Sequence, residues 1–246
     1  MRVLTIYAHH HPRSFCHAIL GRFTDGLREA GHAVDVVDLH AIGFDPVLRD
    51  RDRPCWIDDS VPDDVLADMH IRQAILDGAQ NPLRRWMVKR WMGDRNDREL
   101  VRRIRALGPP RDVAEQQAKV AAADALAFIA PVYFVGFPAI LKGWIERVFT
   151  LGFAFGLTPQ GWRGDIHGRI PLLEHTKALI IQTTIFDEQA YQAGLKDAMT
   201  ALIDEYALRY PGIQRVERET FYAVYGADDC ARRAHLDRAH ALGLGF

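Results

Sequence analysis

Short apolar runs alternate with stretches of helical periodicity along most of the chain. The apolar runs, rich in β-branched and aliphatic residues, predict five strands, at residues 2–8, 33–39, 125–130, 178–184 and 220–225. After the first run, Phe15, Ile19 and Phe23 lie four apart and Gly31 provides a helix stop, which predicts a helix that begins after Ser14. The same periodicity predicts further helices at 138–149, 191–210 and 228–243.

This alternation predicts an α/β fold in which a parallel sheet has helices on both faces. Five strands joined by right-handed crossovers favour the flavodoxin-like order 2-1-3-4-5. In that order the strand sequence reverses between strands 1 and 3. The loops after Ala8 and Ala130 are then expected to face each other across a ligand site at the carboxyl edge of the sheet.

Residues 49–111 do not follow the alternation. An acidic part is followed by a helical, basic part, and between Arg84 and Arg105 nine Lys and Arg residues face three Asp and Glu residues. We interpret residues 1–246 as a single domain with an inserted helical segment at 49–111 whose basic face is solvated. The alternative is a lid or dimer element whose arginines contact a nucleotide phosphate.

Composition narrows the class of protein. The chain has 246 residues, of which 48% are hydrophobic and 26% charged, as in ordinary globular domains, and its net charge of -1 gives no overall attraction to nucleic acid or membrane. Its three widely spaced cysteines suit a reducing compartment, so we expect a cytoplasmic protein. The uncharged run 125–141 contains prolines and a glycine, which favours a core strand over membrane insertion.

The loop after the first strand is a candidate anion site. Ser14 is placed to cap the following helix, whose first backbone amides are free to bind a phosphate, and His9 and Arg13 add further donors. The pattern contains neither GxGxxG nor a P-loop. The C-x5-R spacing of Cys16 and Arg22 falls inside the predicted helix, which disfavours a thiolate phosphatase. Three neighbouring histidines without a matching carboxylate disfavour a metal site.

The loop after the third strand is aromatic and uncharged. Tyr133 and Phe134 follow the strand end directly, a place that ligand contact explains better than core packing does. Side chains of this kind indicate a flat, largely apolar ligand, because a phosphate alone would not require them.

These segments resemble one family. The stretch AHHHPRSFCHAI after the first strand, and above all GFPAILKGWIERVF at 136–149, are similar to the NAD(P)H:quinone oxidoreductases of the flavodoxin-2 family. The resemblance covers about 1–48 and 120–225 and leaves 49–111 outside. It implies a flavodoxin-like fold, a tightly held flavin (usually FAD, with FMN possible), NAD(P)H and a quinone-like molecule as substrates, and a homodimer with sites at the subunit interface.

The resemblance also implies site residues. Carried over position by position, the cofactor-binding residues are His9, Ser14, Phe15, Cys16, Pro131, Val132, Tyr133, Phe134, Thr183 and Thr184, and the candidate anion site adds Arg13. Thr184 and Tyr191 are the candidate catalytic donors. The chain departs from the family where Ile185-Phe186 replaces a Gly-Gly pair and where Asp197 stands near the position of the family's catalytic histidine.

Three functions follow from these observations. The first is a flavin-dependent NAD(P)H oxidoreductase that passes a hydride through the flavin to a quinone or similar two-electron acceptor. The alternative is a regulatory flavoprotein that binds a partner such as a potassium-efflux channel, for which the basic, Trp-containing segment is the support. A one-electron carrier is disfavoured by the neutral charge and the long insertion.

Overall fold

The computed structural model describes all residues, 1–246, and centres on a parallel sheet of five strands in the order β2-β1-β3-β6-β7. Two short strands, β4 and β5, form a separate antiparallel hairpin. The strands are β1 (Arg2–Tyr7), β2 (Ala33–Asp38), β3 (Ala125–Pro131), β4 (Phe155–Leu157), β5 (Arg169–Pro171), β6 (Lys177–Thr183) and β7 (Arg215–Phe221).

The chain has eleven α-helices, and some of them cover the two faces of the sheet. They are α1 (Phe15–Glu29), α2 (Asp63–Asp68), α3 (Ile71–Asp77), α4 (Pro82–Met92), α5 (Asp97–Arg105), α6 (Arg111–Ala122), α7 (Ala139–Val148), α8 (Pro159–Trp162), α9 (Gln189–Gln192), α10 (Leu195–Met199) and α11 (Asp229–Leu244). A wide-turned helix continues α10 over Thr200–Arg209.

Every residue of the central strand β3 is buried, because helices cover both of its faces. Leu126 and Phe128 point to a core shared with α6 and α7, whereas Ala127 and Ile129 point to a core shared with α1 and α11. Successive side chains of a strand point to opposite faces, so β3 contributes to both layers of the core.

The predicted flavodoxin-like order is confirmed, since the five main strands take the order 2-1-3-4-5 in chain sequence. The helix cap is also confirmed: the Ser14 side chain accepts a hydrogen bond from His17 N at 3.1 Å. The carboxyl ends of β1 and β3 lie side by side, with Ala8 N donating to Ile129 O at 3.0 Å. The two expected loops therefore meet at one edge.

Three sequence predictions were wrong in detail. The fifth strand is Arg215–Phe221 rather than 220–225, because its charged residues pair with neighbours and hide the strand pattern. The helix predicted at 191–210 is broken into α9, α10 and the wide-turned helix. The pattern also missed α6 and the β4–β5 hairpin.

Residues 49–111 form a 3-10 turn at Asp50–Cys55 followed by the helices α2 to α5. These elements share a small core of their own, with Met92 and Leu100 fully buried in it. The 3-10 turn is tied to the main body by the buried Arg147 of α7, which donates to Asp52 Oδ1 from Nε at 3.0 Å and from Nη2 at 2.8 Å.

None of the helices combines the length and the apolar character that a bilayer crossing requires.

Candidate functional site

A cavity of about 540 Å³ opens at the carboxyl edge of the sheet, where the loops after β1, β3, β6 and β7 converge. This is the place where the strand order reverses and where ligands bind in open α/β sheets. Its wall is formed by His9, His10, His11, Ser14, Phe15, Cys16, Pro131, Val132, Tyr133, Thr183, Thr184, Ile185, Val224, Tyr225 and Arg232.

One end of the cavity is built to receive an anion. Ser14 orients the first turn of α1, whose free backbone amides carry the positive end of the helix dipole. Across this end, Arg232 Nε donates to Ala227 O at 3.0 Å, and its guanidinium lies 5.6 Å from the Phe15 ring centre. An arginine beside free amides suits a phosphate.

His9 faces this end in its neutral form. Burial lowers the pKa of His9, and the neighbouring His10, His11 and His40 lower it further. His9 Nδ1 accepts a hydrogen bond from His11 N at 3.0 Å, so the ring proton is on Nε2 and can be donated to a ligand. No three His, Cys, Asp or Glu side chains gather at ligating distance in the structure.

The opposite wall is an aromatic turn. Tyr133 and Gly136 exchange two backbone hydrogen bonds of 3.1 Å, which closes a two-residue turn. The turn residues Phe134 and Val135 adopt φ angles of 43° and 70°, a left-handed region that side chains rarely enter. Burial raises the pKa of Tyr133, as do the nearby Cys16 and Tyr225, so its hydroxyl stays protonated.

The third wall follows β6. Thr184 N donates to Phe221 O at 3.0 Å, which holds this residue against the end of β7. The Thr184 Oγ1 atom accepts from Tyr191 OH at 2.7 Å and from Phe186 N at 3.3 Å. With both of these donors on the oxygen, the hydroxyl proton of Thr184 is left to be donated into the cavity it lines.

Two buried groups lie close to Ser14, namely Cys16 in the cavity wall and Tyr7, which is not part of the wall. Burial raises the pKa of the Cys16 thiol to about 12, opposed by a hydrogen bond with Thr183, so Cys16 is an uncharged packing group. Burial likewise raises the pKa of Tyr7, whose hydroxyl lies 3.3 Å from Ser14 Oγ. Neither of these two groups therefore carries a charge that would repel an anionic ligand.

The structure brings nine of the eleven predicted cofactor-binding residues to the cavity wall. Arg13 lies outside, because its backbone N–H bonds to His11 Nδ1 in a turn that leaves the residue exposed. Phe134 is fully exposed, since the left-handed turn directs it into solvent. Tyr191 is buried behind Thr184 and is absent from the wall, and Asp197 is exposed on α10. Their roles as ligands stay predictions.

Sequence reasoning missed several wall residues. Arg232, Val224 and Tyr225 come from the loop after β7 and the start of α11, and the misplaced fifth strand concealed them. A signal was available, because Asp228, which caps α11 by accepting from Ala231 N, marks a second helix start, and Arg232 follows it within the first turn.

Comparisons with known proteins agree with this geometry. The family model of flavodoxin-2, described as a flavodoxin-like fold, matches residues 1–242 and so also spans 49–111. NAD(P)H dehydrogenase (quinone) 1 of Cavia porcellus is 29% identical over 227 residues, which is 91% of this chain and 69% of the relative.

Solved structures agree on the fold. An NAD(P)H:quinone oxidoreductase from Methanothermobacter marburgensis is 24% identical with a TM-score of 0.70, covering 99% of this chain and 98% of its own. An FMN-dependent NADH-azoreductase from Bacillus anthracis, solved in complex with FMN, is 14% identical with a TM-score of 0.57 and covers 99% and 100%.

Proposed function

The chain belongs to the flavodoxin-2 family, and we propose that it is a flavin-dependent oxidoreductase that uses NAD(P)H to reduce a quinone or a similar two-electron acceptor. The observation that carries the proposal is that one cavity combines an anion site at the start of α1 with an apolar, aromatic wall at Tyr133. The name of the Cavia porcellus relative, NAD(P)H dehydrogenase (quinone) 1, supports the same reaction class.

The residues present fit a flavin. The amides beyond Ser14 and the Arg232 guanidinium would hold the phosphate, while the backbone and side chains of Pro131–Tyr133 and of Thr183–Thr184 would line the ring. FAD is our preferred form, because the family resemblance implies it. When bound, the flavin would supply the hydride-accepting and hydride-donating chemistry that amino-acid side chains lack.

The chain's own groups bind, orient and exclude water. Thr184 can donate its hydroxyl proton to an oxygen or nitrogen in the cavity, and Tyr191 fixes that hydroxyl by donating to it at 2.7 Å. Because Thr184 lines the cavity and Tyr191 does not, we assign Tyr191 a positioning role and give direct contact to Thr184. A prealigned donor stabilises negative charge that develops on a ligand without reorganisation during the reaction.

Several large apolar side chains surround the cavity mouth. Phe134, Ile185, Phe186 and Tyr225 are all more than half exposed, a patch that a second protomer would cover. We therefore propose a homodimer with the cavity at its interface, for which light scattering of the purified protein is the measurement. All three cysteines are free thiols, which supports the cytoplasm as the compartment.

The first test is the flavin itself. We expect the purified protein to be yellow or to become so with added FAD or FMN, and chromatography of the released cofactor to identify which of them it holds. Arg232→Met should weaken flavin retention roughly tenfold, because it removes a charge-assisted contact. The adjacent Arg233→Met is the matched control, since Arg233 is exposed and absent from the wall. A protein that binds neither flavin refutes the proposal.

The second test is turnover of NADH and NADPH with a water-soluble quinone. Thr184→Val should lower kcat more than Tyr191→Phe does, because the first removes the donor and the second only its orientation. Tyr206→Phe, more than half exposed on the wide-turned helix, should leave turnover unchanged. Equal turnover in all three variants would contradict the assigned roles. The regulatory alternative predicts no turnover, and none of the relatives named above is described as a channel regulator.

A further inference from the structure

Helix α4 turns large apolar side chains toward solvent. Leu83, Trp86 and Met87 are 68%, 59% and 56% exposed, whereas Met92 on the opposite side of the helix is fully buried. Positions 83, 86, 87 and 90 lie on one face at helical spacing, with Arg90 completing the stripe. The outward face of α4, meaning these four residues, is therefore an organised stripe of three apolar side chains and one arginine that no part of the chain covers.

Cations border this stripe. Helix α4 contains Arg84, Arg85, Lys89 and Arg90 and has no acidic residue. Arg85 donates to Leu76 O, whereas Arg84, Lys89 and Arg90 form no ion pair. Three aspartates of the 49–111 segment are paired with other arginines, in Arg98–Asp63, Arg102–Asp59 and Arg163–Asp64.

The charge on α4 decides which partner fits. A second copy meeting this face across a two-fold axis would place unpaired cations against the same cations, which is repulsive. An anionic lipid surface offers the complementary charge together with an apolar layer for the leucine, tryptophan and methionine. We propose that the outward face of α4 docks the protein on a membrane surface that contains anionic phospholipid.

The geometry suits a helix lying in the headgroup layer. Eleven residues give a length of about 16 Å, so α4 can rest on the membrane but not enter it deeply. Arg84 and Lys89 flank the apolar stripe on opposite sides, where they reach phosphate groups. The Arg90 guanidinium lies 6.0 Å from the Trp86 ring centre, an arrangement that keeps the charge at the level of the indole.

The experiment is co-sedimentation of the full chain with vesicles of phosphatidylcholine and phosphatidylglycerol in equal parts, with pure phosphatidylcholine vesicles beside them. We expect binding to the anionic vesicles alone, and weaker binding as salt is raised. Leu83→Ser should lower the affinity roughly tenfold, because an inserted leucine is lost. Lys89→Glu should lower it about tenfold as well, since a cation becomes an anion at the surface.

The chain offers matched controls. Leu202→Ser changes a leucine that is 69% exposed on the wide-turned helix, and Arg28→Glu makes the same charge change on α1. Both variants should bind vesicles like the unaltered protein. Equal binding to uncharged vesicles, no binding at all, or equal losses in α4 variants and controls would overturn the proposal. So would a change of oligomeric state in Leu83→Ser, which would make this face a protomer interface. Because vesicle binding is read without turnover, the result is independent of the proposed reaction.

Discussion

The buried ion pair between Asp52 and Arg147 gives the sharpest prediction. Arg147 has no exposed surface and Asp52 is 1% exposed, so neither charge is solvated by water. Asp52 Oδ1 accepts both guanidinium hydrogen bonds, and its Oδ2 accepts from Arg49 N at 2.8 Å. Asp52→Asn keeps the shape of the side chain but removes the charge and one acceptor.

The cost follows from the remaining partners. Removing one member of a buried pair costs about 3–5 kcal/mol, because the other charge stays buried without compensation. Here Arg147 also donates to Asp112 at 2.6 Å and to Asp45 O at 2.7 Å, so we expect the lower value, about 3 kcal/mol. For a chain of this size that corresponds to a fall in Tm of about 6–12 °C.

Thermal and urea unfolding followed by circular dichroism measure this loss. The matched control is Asp50→Asn, in the same 3-10 turn, because Asp50 pairs with Arg53 at 3.2 Å in an exposed position. That change should cost less than about 1 kcal/mol. The double variant Asp52→Leu with Arg147→Met should be more stable than Arg147→Met with Asp52 retained. If Asp52→Asn costs no more than Asp50→Asn, or if the double variant shows no coupling, the reasoning is refuted.

Three further predictions concern glycines, thiols and pH. Gly143→Ala should destabilise strongly, since its Cβ would lie 2.2 Å from a backbone oxygen, whereas Gly21→Ala, with open space around it, should stabilise by about 1 kcal/mol in urea unfolding. Mass spectrometry after alkylation of the folded protein should find Cys230 modified rapidly and the buried Cys16 only after unfolding, and equal rates would contradict the assigned burial. Burial lowers the pKa of His175, so the folded chain holds it neutral while the unfolded chain takes up a proton below about pH 6.5. Stability should therefore fall from pH 7 to pH 5, and less steeply in His175→Gln.

The main strands and the strand order were predictable because the hydrophobic pattern of buried parallel strands is continuous. Ala125 to Ala130 contains no polar residue, so its burial on both faces was readable from the sequence. Strand β7 was misplaced because the Arg218 side chain, only 9% exposed, pairs with Asp204, a contact that no local pattern reveals. This charged stretch forms a strand because its charged side chains pair with residues that are distant in the sequence.

The candidate site divides in the same way. Ser14 and Tyr133 were predictable, since a helix cap and an aromatic residue at a strand end carry local signals. The burial of Tyr191 was not predictable, because it depends on Thr184 and on the broken helix that begins at Gln189. The place of Arg232 on the wall depends on where β7 ends, and the exposure of Phe134 depends on backbone angles that no composition encodes.

The turn from Tyr133 to Gly136 has a consequence for the folding stability of the chain. Glycine or asparagine would occupy the left-handed positions of Phe134 and Val135 with less strain, and each present residue costs on the order of 1–3 kcal/mol there. A chain optimised for stability alone would have lost both side chains. The two side chains therefore place apolar surface beside the cavity and lower the folding stability of the chain.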